Sequence, residues 1–243
     1  MNYSWKLSKF DTKILGYKVA KIVNIDASGD NISILQNIHE LNKNLKENNI
    51  KYATYRVNAN NYPVIHALEK SGYILVDGLI TLETITNLGK HSTDSHIRIA
   101  TKDDLTSLLE IAGEVFNVSR YYHDPVIPKG KADNIYKEWV KNTLLGKFGD
   151  MILVWEEKKK VFGLITLDKK GQISLVGVPK KARGKGIGRK LTEAALNLFR
   201  EWGLKKVIIE TQMTNIPALK LYQSCGFKIA DSYLTFRWYN QYS

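Results

Sequence analysis

Cysteine is nearly absent: Cys225 is the only one in 243 residues, so no intrachain disulfide can form. That agrees with a reducing compartment, and the cytoplasm is the expected location. No run of about 18 apolar residues occurs, and the opening "MNYSWKLSKFDTKILGYKVAKI" lacks the apolar core of a signal peptide, so neither membrane insertion nor export is expected. Histidines stand at 39, 66, 91, 96 and 123, without metal-ligand spacing, and no metal is expected. Aromatic residues are missing from the densest basic stretch, "PKKARGKGIGRK", Pro179–Lys190, which holds six cations in twelve residues. Single-stranded nucleic acid is held by stacking on aromatics set among cations, so a compact phosphate site fits this stretch better than a nucleic-acid partner.

What is present is ordinary globular material, 44% hydrophobic and 25% charged, with a formal charge of +12 that suits anionic partners. The length accommodates two domains. A repeat supports that division: "NIPALKLYQSCGF", Asn215–Phe227, echoes "NYPVIHALEKSGY", Asn61–Tyr73, 154 positions earlier. The match continues through Asp231 and Thr235 against Asp77 and Thr81. Where the later copy has Tyr222, the earlier one has Leu68.

The polar stretch "TNLGKHSTDSH", Thr86–His96, shows neither helical nor strand period and is read as the seam between domains at 1–90 and 97–243. The first half reads strand (16–25), helix (31–48, with Leu35, Ile38, Leu41 and Leu45 on one face), strand (50–57), the repeated helix and strand (73–85). The second opens with a capping-box pattern at Thr101 and Asp104 before an apolar helical face of Leu105, Leu108, Leu109, Ala112 and Phe116. After an insertion come a helix over 132–145, strands over 151–155, 161–168 and 172–178, the glycine loop, a helix with the stripe Ile187, Leu191, Ala195, Leu198 and Trp202, the strand "KVIIET", the repeated helix and a last strand over 227–239. "EEKKK" joins the first two of those strands as a hairpin. Alternating strands and helices broken by hairpins predict α/β halves with mixed sheets flanked by helices.

Arg183, Gly184, Gly186 and Gly188 follow a strand and open a helix, where unpaired backbone N–H groups and the helix dipole favour an anion. The dinucleotide fingerprint and the P-loop both fail here, and what remains is R-x-x-G-x-G. Followed by a helix, a strand and N-x-x-A-x-x-x-Y, this resembles the acetyl-CoA-binding core of the GCN5-related N-acetyltransferase (GNAT) superfamily over roughly residues 97–239. The resemblance implies two tandem GNAT-like domains, the first a degenerate copy without the loop. It also implies that N–H groups around Arg183, Gly184, Lys185, Gly186, Ile187 and Gly188 hold the pyrophosphate of acetyl-CoA. An N–H near Val176 to Val178 would polarise the thioester, Asn215 would bond the pantetheine arm, and Tyr222 would donate to the departing sulfur. Many relatives carry a glutamate base on the strand before the loop, where this chain offers Ser174; Glu210 is the nearest carboxylate of the motif region. Cys225 reads as a small apolar residue in a helix-ending turn.

The long stretch "FNVSRYYHDPVIPKGKADNIYKEWVKN" exceeds a plain connection. With the duplication, its Ser119-Arg120-aromatic pattern followed by Tyr136 and Trp139 resembles the TDP-fucosamine acetyltransferases of bacterial surface-polysaccharide synthesis. That resemblance implies a nucleotide-linked amino sugar as acceptor, with Arg120, Tyr121, Tyr136 and Trp139 as candidate contacts. Acetylation of a protein, peptide or drug-like amine is the alternative, and a non-catalytic acyl-CoA sensor is another. Whether two copies pair as a homodimer is left open by the sequence.

Overall fold

The computed structural model describes residues 2–86 and 94–240. Most of the seam, with Gly89 and His91, lies outside the described residues. The chain forms two compact units, each assembled from separate stretches. The first comprises residues to Leu79, His123–Ile127 and residues from Ser232 on; the second comprises Ile80–Tyr122 and Pro128–Asp231.

The first unit holds β1 (Tyr3–Leu7), α1 (Lys9–Leu15), β2 (Val19–Ile25), α2 (Asn31–Glu47), β3 (Tyr52–Asn58) and α3 (Tyr62–Lys70). Two further strands are shared between the units: β4 (Ile74–Ile85) gives the first unit its residues to Leu79, and β10 (Lys228–Tyr239) gives it Ser232–Tyr239. Its sheet runs β1-β2-β3-β10, with β2 parallel to β3 and the outer pairs antiparallel. A parallel pair needs a crossover, and α2 supplies it. Ile34, Ile38, Leu41 and Leu45 lie on one face of α2 and bury against Ala20, Ile22 and Ala53. Neither β1 nor α1 was expected from the sequence, since "YSWKL" and "KFDTKIL" are too short for a period to declare itself.

The second unit holds β5 (Ile97–Ile99), α4 (Leu105–Val115), α6 (Lys129–Leu144), β6 (Met151–Glu157), β7 (Lys160–Asp168), β8 (Gln172–Gly177), α7 (Ile187–Glu201), β9 (Lys206–Gln212) and α8 (Ile216–Ser224). Between α4 and α6 lies the four-residue α5 (Arg120–His123). The sheet order is β4-β9-β8-β7-β6-β5, with β8 parallel to β9 and the β5–β6, β6–β7 and β7–β8 pairs antiparallel. Leu164, Ile165, Thr166 and Leu167 of β7 are all buried, as a strand covered on both faces requires. Ile165 and Leu167 pack with Leu191 and Ala195 of α7, and α4 packs against β7 and β8.

The expected capping box is present, with Thr101 and Asp104 bonding each other's backbone before α4. The hairpin between β6 and β7 turns on Lys158 and Lys159, whose φ values of 49° and 61° are those of a tight primed turn. α6 begins at Lys129, three residues earlier than its apolar pattern indicated. In α7 the stripe is wider than expected: Phe199 is fully buried, while Leu198 and Trp202 are only partly so.

Candidate active site

The parallel ladder between β8 and β9 is short. Only Gln172↔Ile208 and Ile173↔Ile209 pair, and beyond Ile173 the two strands part. At the same point β8 is bulged, for Leu175 faces Thr166 while Ile173 faces Leu167, leaving Ser174 between them. A bulge bends its strand and re-aims the residues beyond it. Val176 and Val178 then pack on the α7 side of the sheet. Gly177 faces α4, where a Cβ would meet Val115 Cγ2 at 2.8 Å and Phe116 Cζ at 3.2 Å. Glycine is needed there because α4 ends against the strand.

The parting opens a cleft of about 450 Å³, wholly within the second unit. One wall is the loop between β8 and α7. Gly184 and Gly186 have φ of +80° and +76°, and a Cβ on either would meet nothing, so left-handed backbone rather than space calls for glycine. Gly186 caps α7 without a side-chain bond, and the first helical bond runs from Lys190 N–H to Gly186 O at 3.0 Å. The N–H groups of Ile187, Gly188 and Arg189 therefore have no partner inside the helix, and they carry the positive end of its dipole.

Asn215 caps α8. Its Oδ1 accepts from Ala218 N–H at 3.4 Å, and its Nδ2 donates to Thr211 Oγ1 at 3.1 Å. Tyr222, from the second turn of α8, is 5% exposed. Its ring centroid lies 6.1 Å from that of Phe227, and the residue reaches the cleft. Burial pushes its phenol far above the ordinary range, and the Cys225 thiol adds to this. The group therefore stays protonated and can donate. Cys225 is itself buried, with its thiol pushed up to about 11, which leaves it a packing residue.

Of the residues expected from the sequence, Val176, Val178, Arg183, Gly184, Gly186, Ile187, Gly188, Asn215 and Tyr222 line this cleft together. Lys185 is exposed and does not line it. The Arg183 side chain turns back, its Nε donating to Val178 O at 3.0 Å, so it ties the loop to the end of β8. Asn215 uses one N–H and one lone pair of its amide within the protein, at Thr211 and Ala218. Arg120, Tyr121, Tyr136 and Trp139 come together with one another but not at the cleft lining. Arg120 donates to the Tyr121 hydroxyl at 2.7 Å, and Tyr136 stacks on Phe116 at 4.9 Å and meets Tyr121 edge-on at 6.2 Å. Tyr121 and Tyr136 are buried, so these rings form a core under the insertion.

Sequence reasoning missed Val115, Asn117 and Val118, which line the cleft from the end of α4. No local signal marks them, because their place depends on how α4 packs. Glu210 is half-buried and accepts from the Thr81 hydroxyl at 3.3 Å; Ser174 sits in the bulge. His96 stacks on Trp155 at 4.7 Å with its Nδ1 2.7 Å from Asp94, whose other oxygen takes Lys190 at 2.8 Å. Among the described residues, no group of three or more His, Cys, Asp or Glu could hold a metal, and no helix is long and apolar enough to cross a membrane.

Residues 115–227 match the acetyltransferase (GNAT) family. The chain is 26% identical over 176 residues to a dTDP-fucosamine acetyltransferase of Escherichia coli, covering 72% of this chain and 75% of that one. It is 28% identical over 133 residues to the spore coat polysaccharide biosynthesis protein SpsD of Bacillus subtilis, covering 54% of this chain and 46% of the other. A GCN5-related N-acetyltransferase from Sphaerobacter thermophilus shares the fold with a TM-score of 0.64 at 15% identity, over 98% of this chain and 76% of its own.

Proposed function

We propose, from the premise that the chain carries an acetyltransferase domain of the GNAT family, that it moves an acetyl group from acetyl-CoA to the amine of a nucleotide-linked amino sugar destined for a surface polysaccharide. The observation that carries the acyl-transfer part is the convergence, in one cleft, of the uncapped α7 N-terminus, the freed edge of β8 and the Tyr222 phenol. The coenzyme's pyrophosphate would lie on the N–H groups of Gly186 to Arg189, with the Arg189 side chain beside it.

In the reaction, the neutral amine attacks the thioester carbon and the carbonyl oxygen becomes an oxyanion. A backbone N–H at the β8 end, Val176 to Val178, stabilises it. As the C–S bond breaks, the Tyr222 hydroxyl donates to the sulfur, and the proton released by the amine leaves through solvent. With the phenol held above its usual range, a hydrogen bond to the thiolate is favoured over complete transfer, since a thiolate of pKa about 8.5 is the weaker base.

The names of the two curated relatives, together with the +12 charge, support a sugar nucleotide as acceptor. On this reading Arg120, Tyr121, Tyr136 and Trp139 shape the acceptor wall from behind, and the enzyme works in the cytoplasm. The chain is read as two tandem GNAT-like domains, 1–90 and 97–243, the first degenerate. Supporting this, Asn61 caps α3 with φ −85° and ψ 66°, against −84° and 63° for Asn215. Gly72 and Gly226 end the two helices at φ +78° and +87°.

The test is acetyl transfer to dTDP-fucosamine, followed by mass shift. Turnover should be efficient and weaken as salt shortens the Debye length to about 8 Å. Equal turnover of the free amino sugar would refute the nucleotide part; coenzyme binding without turnover of any amine would refute the enzyme.

A further inference from the structure

The strands that lead into α3 and α8 differ at one buried position. Four residues before Asn215 stands Thr211, and four before Asn61, 154 positions earlier, stands Val57. The two side chains have nearly the same shape and are 5% and 3% exposed. A buried hydroxyl is unfavourable unless it is hydrogen-bonded, so the later copy needs a use for one where the earlier copy has a methyl group.

The hydroxyl is bonded to Asn215, whose Nδ2 donates to Thr211 Oγ1 at 3.1 Å. Capping the helix does not require this bond. Each asparagine accepts at 3.4 Å from the N–H three residues on, Val64 for Asn61 and Ala218 for Asn215. Each closes the same turn as well, with Asn61 N–H donating to Asn58 O at 3.0 Å and Asn215 N–H to Gln212 O at 2.9 Å. The α3 cap is thus built beside a valine, and Thr211 supplies something beyond it.

What it supplies is a second hold on the amide. A single bond through Oδ1 leaves the amide plane free to tilt, because acceptance at a carbonyl oxygen is broad in direction. The second bond, through Nδ2, fixes the plane. An amide has two N–H donors and two acceptor lone pairs, so one of each remains after Thr211 and Ala218 are served. Asn215 lines the cleft together with the first residues of α7 and Tyr222, and all of these residues belong to the second unit.

We propose that Thr211 is a positioning residue for the coenzyme: it fixes the plane of the Asn215 amide and so presets the N–H that Asn215 offers to the pantetheine arm. This rests on the reading of the cleft as the acetyl-CoA site. A donor fixed before the ligand arrives loses less freedom on binding, and affinity rises accordingly.

The experiment titrates coenzyme A into the full chain by calorimetry. Thr211→Val gives the later copy the residue of the earlier one and should raise Kd about three- to tenfold, the net effect of one hydrogen bond. Thr211→Ser keeps the hydroxyl and should stay within about twofold of wild type. Asn215→Ala should weaken binding at least as much as Thr211→Val, and the double variant should bind no worse than Asn215→Ala alone. Wild-type affinity in Thr211→Val, beside weakened binding in Asn215→Ala, overturns the inference and leaves the reading of the cleft standing. A further loss in the double variant, or a loss in Thr211→Ser as large as in Thr211→Val, overturns it too, since neither is expected of a hydroxyl acting through the amide. Unchanged binding in Asn215→Ala would overturn both the coenzyme contact of Asn215 and the inference built on it. Should Thr211→Val not yield soluble protein, Thr211→Ala decides by the same titrations.

Discussion

Two helices follow the inner strands of the two units, α2 after β2 and α7 after β8, and their first residues differ in a way that separates a packed end from a binding end. The α2 N-terminus is closed by its own chain: Asp30 accepts from Ser33 N–H at 2.9 Å and from its hydroxyl at 2.7 Å. Hydrogen bonds from Ser33 hold the Asp30 carboxyl below its usual range, so it is an anion fixed where a phosphate would lie. The α7 N-terminus is capped by Gly186, which offers no side chain at all. One helix has its anion built in, and the other leaves the place open. The later helices α3 and α8 differ in the same sense. Leu68 of α3 is fully buried, whereas Tyr222 of α8 keeps an apolar ring in the core and reaches the cleft.

The largest effect should come from removing what only the second copy has. Tyr222→Phe preserves packing and should lower kcat by about 10²- to 10⁴-fold while leaving coenzyme affinity nearly unchanged, as steady-state kinetics and calorimetry would show. Leu68→Tyr should bring no activity to the first unit. Next is Gly186→Asp, which makes α7 resemble α2. Like-charge repulsion of several kcal/mol should weaken coenzyme A about 10²- to 10³-fold by calorimetry. Strain at a left-handed residue should add a stability loss of about 1–2 kcal/mol. Binding near wild-type strength would mean that the pyrophosphate does not lie on α7.

A smaller effect should be common to both copies. Asn61→Ala and Asn215→Ala each remove a helix cap and should each cost about 1 kcal/mol in denaturant unfolding. No stability change in Asn215→Ala would mean that its amide serves only the coenzyme. Least of all is an alkaline effect. Burial raises the phenols of Tyr222 and Tyr73, so the folded chain keeps protons that the unfolded chain gives up above about pH 10. Keeping the proton costs the folded state stability relative to the unfolded one as pH climbs past about 10, and the loss grows until the folded values are reached. Tyr222→Phe should therefore make unfolding stability fall less steeply above about pH 10 than in wild type.

Features governed by neighbours in sequence were legible. The glycines at 184 and 186 and the box at Thr101 and Asp104 are conditions on a few consecutive residues, and the same conditions appear in the folded chain. Features governed by distant packing were not. Asn117 and Val118 become a cleft wall only because α4 ends against Gly177. Tyr121 and Tyr136 carry polar groups and read as surface contacts, but their rings have each other and Phe116 to pack on. The division of β4 and β10 between units was hidden for a further reason: a strand's pattern tells which face is buried but not which strand lies beside it.

That division bears on how the protein is made. The first unit takes in Ser232–Tyr239, which pairs in register with β3 from Tyr233↔Asn58 to Tyr239↔Tyr52. A ribosome delivers these residues only after those of the second unit, so the half whose synthesis begins first is the half that must wait. Until then β3 has an unpaired edge, and the nascent chain is exposed to chaperones and to pairing with other chains at the very strand that β10 will cover.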